Sequence, residues 1–96
     1  MAKIYGRYCG PNWTHGRNIP ASQYALYPEV DPIDSLDAAC QQHDKDCSMG
    51  GCSKKGDIRL RNRALAVAAV TSDPTLRATA LLIAGGMTLT APRRTR

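Results

Sequence analysis

The sequence predicts a small all-α domain, on three observations. Its 96 residues suffice for a single domain with a thin core. Beyond a glycine-, proline- and asparagine-rich N-terminal stretch, breaks at Gly50-Gly51 and Ser72-Asp73-Pro74 divide the chain into three segments of helical composition. Four cysteines offer the staples, by disulfide or by metal, that a chain this short needs.

The N-terminal stretch comes first. All four tyrosines, the single tryptophan and four of the six prolines lie before Asp34. Gly10, Pro11, Asn12, Gly16, Asn18 and Pro20 argue for ordered loop there. A first helix is expected from about Ser35 to Met49, capped by Asp34, with Asp37 in its first turn and Gly50-Gly51 as its stop. A second should run from about Gly56 to Thr71. The third starts at Pro74 behind the cap Asp73 and should reach about Ala84, packing Leu76, Ala80, Leu81, Ile83 and Ala84 on the other two. The domain is placed at residues 1–92, with 93–96 a disordered basic tail.

Composition then limits the partners. The segment from Leu76 to Ala91 carries Arg77 and is shorter than the ~20 residues of a membrane span. Met1-Ala2-Lys3-Ile4 leads into Tyr5-Gly6-Arg7 without the apolar run of a secretory signal. A formal charge of +5 draws the chain toward phosphate, on nucleic acid or on an anionic lipid surface, and does not choose between them.

The stretch Asp37 to Cys47, DAACQQHDKDC, carries the chemistry. At 100° per residue Leu36, Cys40, His43, Asp44 and Cys47 share one helix face, so the face that should be apolar presents a histidine and an aspartate. Such groups are costly to bury unless paired or bound. Cys40, His43, Cys47 and Cys52 form one candidate set, for zinc, although ligands on one helical face converge poorly into a tetrahedron. Another lies upstream, where Tyr8-Cys9-Gly10-Pro11-Asn12 is a loop able to turn backbone carbonyls toward a hard cation. If Cys9 bonded Cys40, those carbonyls would meet the Asp44 carboxylate, a set suited to calcium.

Tyr8-Cys9-Gly10 followed by Asp34, Asp37-Ala38-Ala39-Cys40 and His43-Asp44 resembles the secreted phospholipase A2 superfamily, with its calcium loop YCGxG and helix DxCCxxHDxC. Tyr8-Cys9-Gly10-Pro11 and Asp37-Ala38-Ala39 with His43-Asp44 also look like the phospholipase domain of parvoviral capsid proteins. The likeness covers Tyr5 to Cys52 and then Asp57, about half the chain. It implies two antiparallel helices carrying the site, an N-terminal calcium-binding loop, and calcium-dependent hydrolysis of the sn-2 ester of glycerophospholipids. By position His43 is similar to the base that activates water, and Asp44 to the carboxylate that holds Ca2+ with the carbonyls of Tyr8, Gly10 and Asn12. Asp57, which leads the stripe Leu60, Ala64, Val67 and Ala68, is similar to the aspartate that orients the histidine. The resemblance also favours Cys9 with Cys40; the remaining pair is then Cys47 with Cys52.

Several residues depart from the family. Asn12 stands where it usually has glycine, and Trp13 to Val30 reads as an insertion. Cys47 replaces a tyrosine, so a hydrogen bond to the catalytic aspartate must be missing or come from elsewhere, with Tyr24 and Tyr27 as candidates. Within the insertion Trp13, Tyr24, Leu26 and Tyr27 either meet a phospholipid membrane or micelle surface, beside Arg7 and Arg17, or cover the core. His15 is read as a solvated loop residue. Disulfides would fit a secreted or virion-associated protein, with no nucleic acid as partner and the oligomeric state left open. The alternatives are a zinc-stabilised basic nucleic-acid-binding module and a catalytically silent lipid-binding relative.

Overall fold

The computed structural model describes residues 3–96. An irregular N-terminal segment with a short 3-10 helix, Ala21–Leu26, precedes three α-helices: α1 (Ser35–Ser48), α2 (Lys54–Val70) and α3 (Pro74–Thr90). A 3-10 turn, Ala91–Arg93, follows. The described residues contain no strand, only isolated bridges between Tyr5 and Cys9 and between Thr14 and Arg17.

Each helix begins at a side-chain cap. Asp34 accepts from the backbone N–H of Asp37, Ser53 from Gly56, and Asp73 from Thr75 and Leu76. α2 starts two residues before the expected Gly56, because the Ser53 side chain caps it. α1 and α2 run antiparallel: His43 meets Asp57 at one end of the pair, while Ser35 and Ala38 share a groove with Val67 and Val70 at the other. α3 returns along α2, from Arg77 Nε on the Ala68 carbonyl (3.2 Å) to Thr90 on Asp57 (2.7 Å).

The core is built from Leu36, Ala39 and Cys40 of α1, Leu60, Ala64 and Ala68 of α2, and Ala80, Ile83 and Ala84 of α3, with Tyr8 and Tyr24 from the N-terminal segment. Alanine at so many contact positions lets the helices approach closely, and Ala64 and Ala80 are wholly buried. Leu81 departs from expectation. It is 49% exposed, because the inward face follows Leu76, Ala80, Ile83, Ala84 and Met87, and Leu81 lies a step of 100° beyond Ala80.

Two larger differences concern the C-terminal end. α3 does not stop at Ala84 but runs through Gly85-Gly86 to Thr90. Glycine costs about 1 kcal/mol in a helix interior, and here the added turn brings Met87 onto the core and Thr90 onto Asp57. Residues 93–96, expected as a free tail, fold back. Arg94 binds Asp57, the N–H of Lys54 donates to the Arg96 carbonyl (2.9 Å), and the Arg96 guanidinium donates to the Gly51 carbonyl.

Two disulfides fasten the helices: Cys9–Cys40 ties the N-terminal loop to α1, and Cys47–Cys52 closes the turn between α1 and α2.

Candidate functional site

Asp37 determines where the loop sits. Its carboxylate, fully buried at the start of α1, accepts from the backbone N–H groups of Arg7 (3.0 and 3.1 Å), Tyr8 (2.9 Å) and Ile33 (3.0 Å). Gly6, at φ +59°, passes so close that a Cβ there would lie 2.5 Å from the Asp37 carboxyl carbon, which only glycine permits. The Tyr8 ring is buried, and its hydroxyl donates to the Val30 carbonyl (2.6 Å) and accepts from the Val30 N–H (3.0 Å). Asn12 occupies the left-handed region at φ +52°, one of two non-glycine residues described there.

A cleft of about 500 Å³ opens between this loop, α1 and the C-terminal half of α3. Tyr8, Gly10, Asn12, His43 and Asp44 all line it, and Ile4, Pro11, Leu60, Ile83 and Met87 give it an apolar wall. The residues marked out in the sequence as base and ligands therefore meet in one concave site.

His43 Nε2 lies 2.6 Å from Asp57 Oδ1, with the histidine side chain 12% exposed and the aspartate fully buried. A carboxylate only accepts, so Nε2 carries a proton, and in the neutral ring the lone pair is then on Nδ1. The second Asp57 oxygen accepts from Thr90 Oγ1 (2.7 Å) and Arg94 Nε (2.8 Å). Burial alone would raise the pKa of Asp57, but the hydrogen bonds from His43, Arg94 and Thr90 outweigh it and hold the carboxyl below the usual range. The hydrogen bonds sought from Tyr24 or Tyr27 thus come from residues 33 and 37 positions away in sequence.

Asp44 is 7% exposed, and its Oδ2 is one of two buried side-chain polar atoms without a partner among the described residues. Burial pushes its pKa up to about 8, against a hydrogen bond from the buried Thr14 hydroxyl and with a smaller push from Asp37. An unpartnered buried carboxylate is costly unless something binds it. Tyr8, Gly10 and Asn12 line the same cleft as Asp44.

His15 supplies the other unpartnered atom, Nε2. Contrary to the solvated reading it is 4% exposed, packed against the rings of Tyr8 (5.5 Å), Tyr24 (4.3 Å) and Tyr27 (6.3 Å). Its φ of +58° turns the side chain inward, a conformation that residue type does not announce. Tyr24 belongs to the core as well, 5% exposed, with its hydroxyl donating to Glu29 (2.6 Å). That removes it from the residues offered to a lipid surface. Trp13 is half-buried and donates to the Gly6 carbonyl (3.0 Å), Arg17 covers the Tyr27 ring at 5.0 Å, and Leu26 alone of the four stands out, at 75% exposed.

The zinc set does not form. His43, Cys47 and Cys52 cluster within 4.8 Å, but the described cysteines are all oxidised: Cys40 is bonded to Cys9, and Cys47 to Cys52. Zinc takes thiolates, which these sulfurs no longer are. Thr14, Thr90 and Arg94 escaped the sequence reading because each reaches the site from outside the motif stretch. Comparison with protein-family models, with curated proteins and with solved structures finds no match to this chain.

Proposed function

We propose that this protein is a calcium-dependent phospholipase A2, hydrolysing the sn-2 ester of glycerophospholipids to lysophospholipid and free fatty acid. The observation that carries the reading is the convergence, in one largely apolar cleft, of a His43–Asp57 pair at 2.6 Å and an Asp44 carboxylate with an unpartnered buried oxygen. The first is a general base with its tautomer fixed. The second is a buried acidic group that a bound cation would ionise and compensate, in a cleft that Tyr8, Gly10 and Asn12 also line.

In this mechanism His43 Nδ1 takes a proton from a water molecule as its oxygen attacks the ester carbonyl carbon. The same imidazolium then returns that proton to the departing glycerol oxygen when the ester bond breaks, so no covalent enzyme intermediate is needed. Asp57 holds the ring and balances the imidazolium charge. Asp44 and the carbonyls of Tyr8, Gly10 and Asn12 would hold Ca2+, whose chemistry is to polarise the ester carbonyl and offset the oxyanion charge, on the order of ~3 kcal/mol or more. The apolar wall takes the acyl chain. A phospholipid membrane or micelle surface is the partner, and the two disulfides suit a secreted or virion-associated setting.

The test is fatty-acid release from vesicles labelled at sn-2, with calcium and with chelator, for the parent and His43→Gln. Release that needs both calcium and His43 supports the enzyme. Calcium-dependent lipid binding without release by the folded parent would mean a silent relative, and neither binding nor release on zwitterionic and anionic vesicles would remove the lipid reading altogether.

A further inference from the structure

Asp57 is fully buried and has two kinds of partner. On one oxygen sits His43, which is neutral whenever it is ready to accept a proton. A buried carboxylate facing only a neutral imidazole would be an uncompensated charge, and its cheapest escape is to take up a proton itself. It would then no longer fix which imidazole nitrogen carries hydrogen. The other oxygen meets Arg94 Nε at 2.8 Å and Thr90 Oγ1 at 2.7 Å. Arginine is permanently charged, so its compensation does not depend on the state of His43. Both residues come from the C-terminal end: Thr90 is the last residue of α3, and Arg94 follows the 3-10 turn Ala91–Arg93. Arg94 also lines the cleft beside His43. Its neighbour Arg93 is exposed and has no part in this network.

We infer that Arg94, with Thr90, is a positioning residue for the His43–Asp57 pair, so that the pair is complete only when the C-terminal turn is docked on α2. The catalytic meaning of this rests on the phospholipase reading, whereas the positioning itself does not. Arg94 and Thr90 hold the Asp57 carboxylate from the side away from His43, through hydrogen bonds of 2.8 and 2.7 Å to one oxygen. Thr90 orients the same oxygen, and its loss should matter less because the compensating charge remains.

The experiment uses the full chain with Arg94→Gln, Arg94→Lys, Thr90→Val and the control Arg93→Gln. The primary readout needs no activity: the imidazole 15N and downfield N–H resonances of His43 in mildly alkaline buffer. The parent and Arg93→Gln should show the Nε2–H tautomer, Arg94→Gln a mixture or an exchange-broadened signal, and Arg94→Lys a partial return to the parent pattern. On a monomeric short-chain phospholipid, Arg94→Gln should lower kcat by about tenfold to hundredfold with KM little changed, and Arg94→Lys should recover part of that. Parent-like resonances in Arg94→Gln would overturn the inference, as would equal effects of Arg93→Gln and Arg94→Gln. If Arg94→Gln does not fold, Arg94→Lys and Thr90→Val decide: a shifted His43 resonance in either supports the positioning role, and unchanged resonances in both reject it. A parent that releases no fatty acid but shows these resonance changes would sink the phospholipase reading and leave the positioning standing.

Discussion

Asp44 in the cleft and Asp57 behind His43 carry opposite electrostatic burdens, and stability should follow. In the calcium-free protein Asp44 has its pKa raised to about 8, so between its ordinary value of 3.8 and about 8 the unfolded chain has released a proton that the folded chain retains. Stability must therefore fall as pH rises through that window. Asp57 is shifted the other way, and its contribution is present above the ordinary carboxylate range and lost only as pH falls below it. With chelator present, the urea midpoint should drop between about pH 5 and about pH 8, by on the order of a few kcal/mol in stability. Asp44→Asn should flatten that decline, and calcium should reverse it while releasing a proton on binding. A midpoint that rises over this range without calcium would mean Asp44 is not the buried, unpartnered carboxylate described above. The sequence showed the oddity of His43 and Asp44, since an amphipathic face that should be apolar carried both. It did not show Thr14, His15 or Arg94, because each owes its place to a positive φ or to a chain reversal that no local pattern encodes.

Among the elements, helix starts were the most legible. Asp34 and Asp73 are cap residues that hydrogen-bond backbone N–H groups where their type predicts. Helix ends were less so: Gly85-Gly86 reads as a stop, yet tertiary contacts of Met87 and Thr90 carry α3 through it. The favoured Cys9–Cys40 bond is present, and it joins the loop to the helix bearing His43 and Asp44. It closes a sequence separation of 31 residues, so its loss should cost about 2–5 kcal/mol in a domain this small. Asp37 still holds the Arg7 and Tyr8 N–H groups without it. A Cys9→Ala, Cys40→Ala double variant should therefore keep its helical circular dichroism at low temperature, melt earlier, and lose calcium affinity more steeply than helicity. Unchanged calcium affinity in the folded double variant would show that the loop needs only Asp37 to stay in place.

For the whole molecule, the phospholipase proposal raises the question of which side would meet a lipid surface. The sequence pointed to the insertion, but Tyr24 is core, Trp13 is bonded to the loop and Tyr27 lies under Arg17. Ile4 is different: it is 42% exposed and also lines the cleft, so on the phospholipase reading it stands where a lipid would enter. The +5 charge adds a long-range attraction to anionic lipid that salt screens over about 8–10 Å. The two contributions are separable. Ile4→Ser removes apolar contact without changing charge, so it should weaken turnover on zwitterionic and anionic vesicles alike, by about tenfold if the side chain is fully buried in lipid. It should leave turnover of a monomeric short-chain substrate nearly unchanged, because that substrate reaches His43 without crossing an interface. Added salt should do the reverse, depressing activity on anionic vesicles and sparing zwitterionic ones. Equal losses for Ile4→Ser on vesicles and on monomers would place Ile4 in the acyl-binding wall of the cleft and move the lipid-facing surface elsewhere, with exposed Leu26 as the next residue to change.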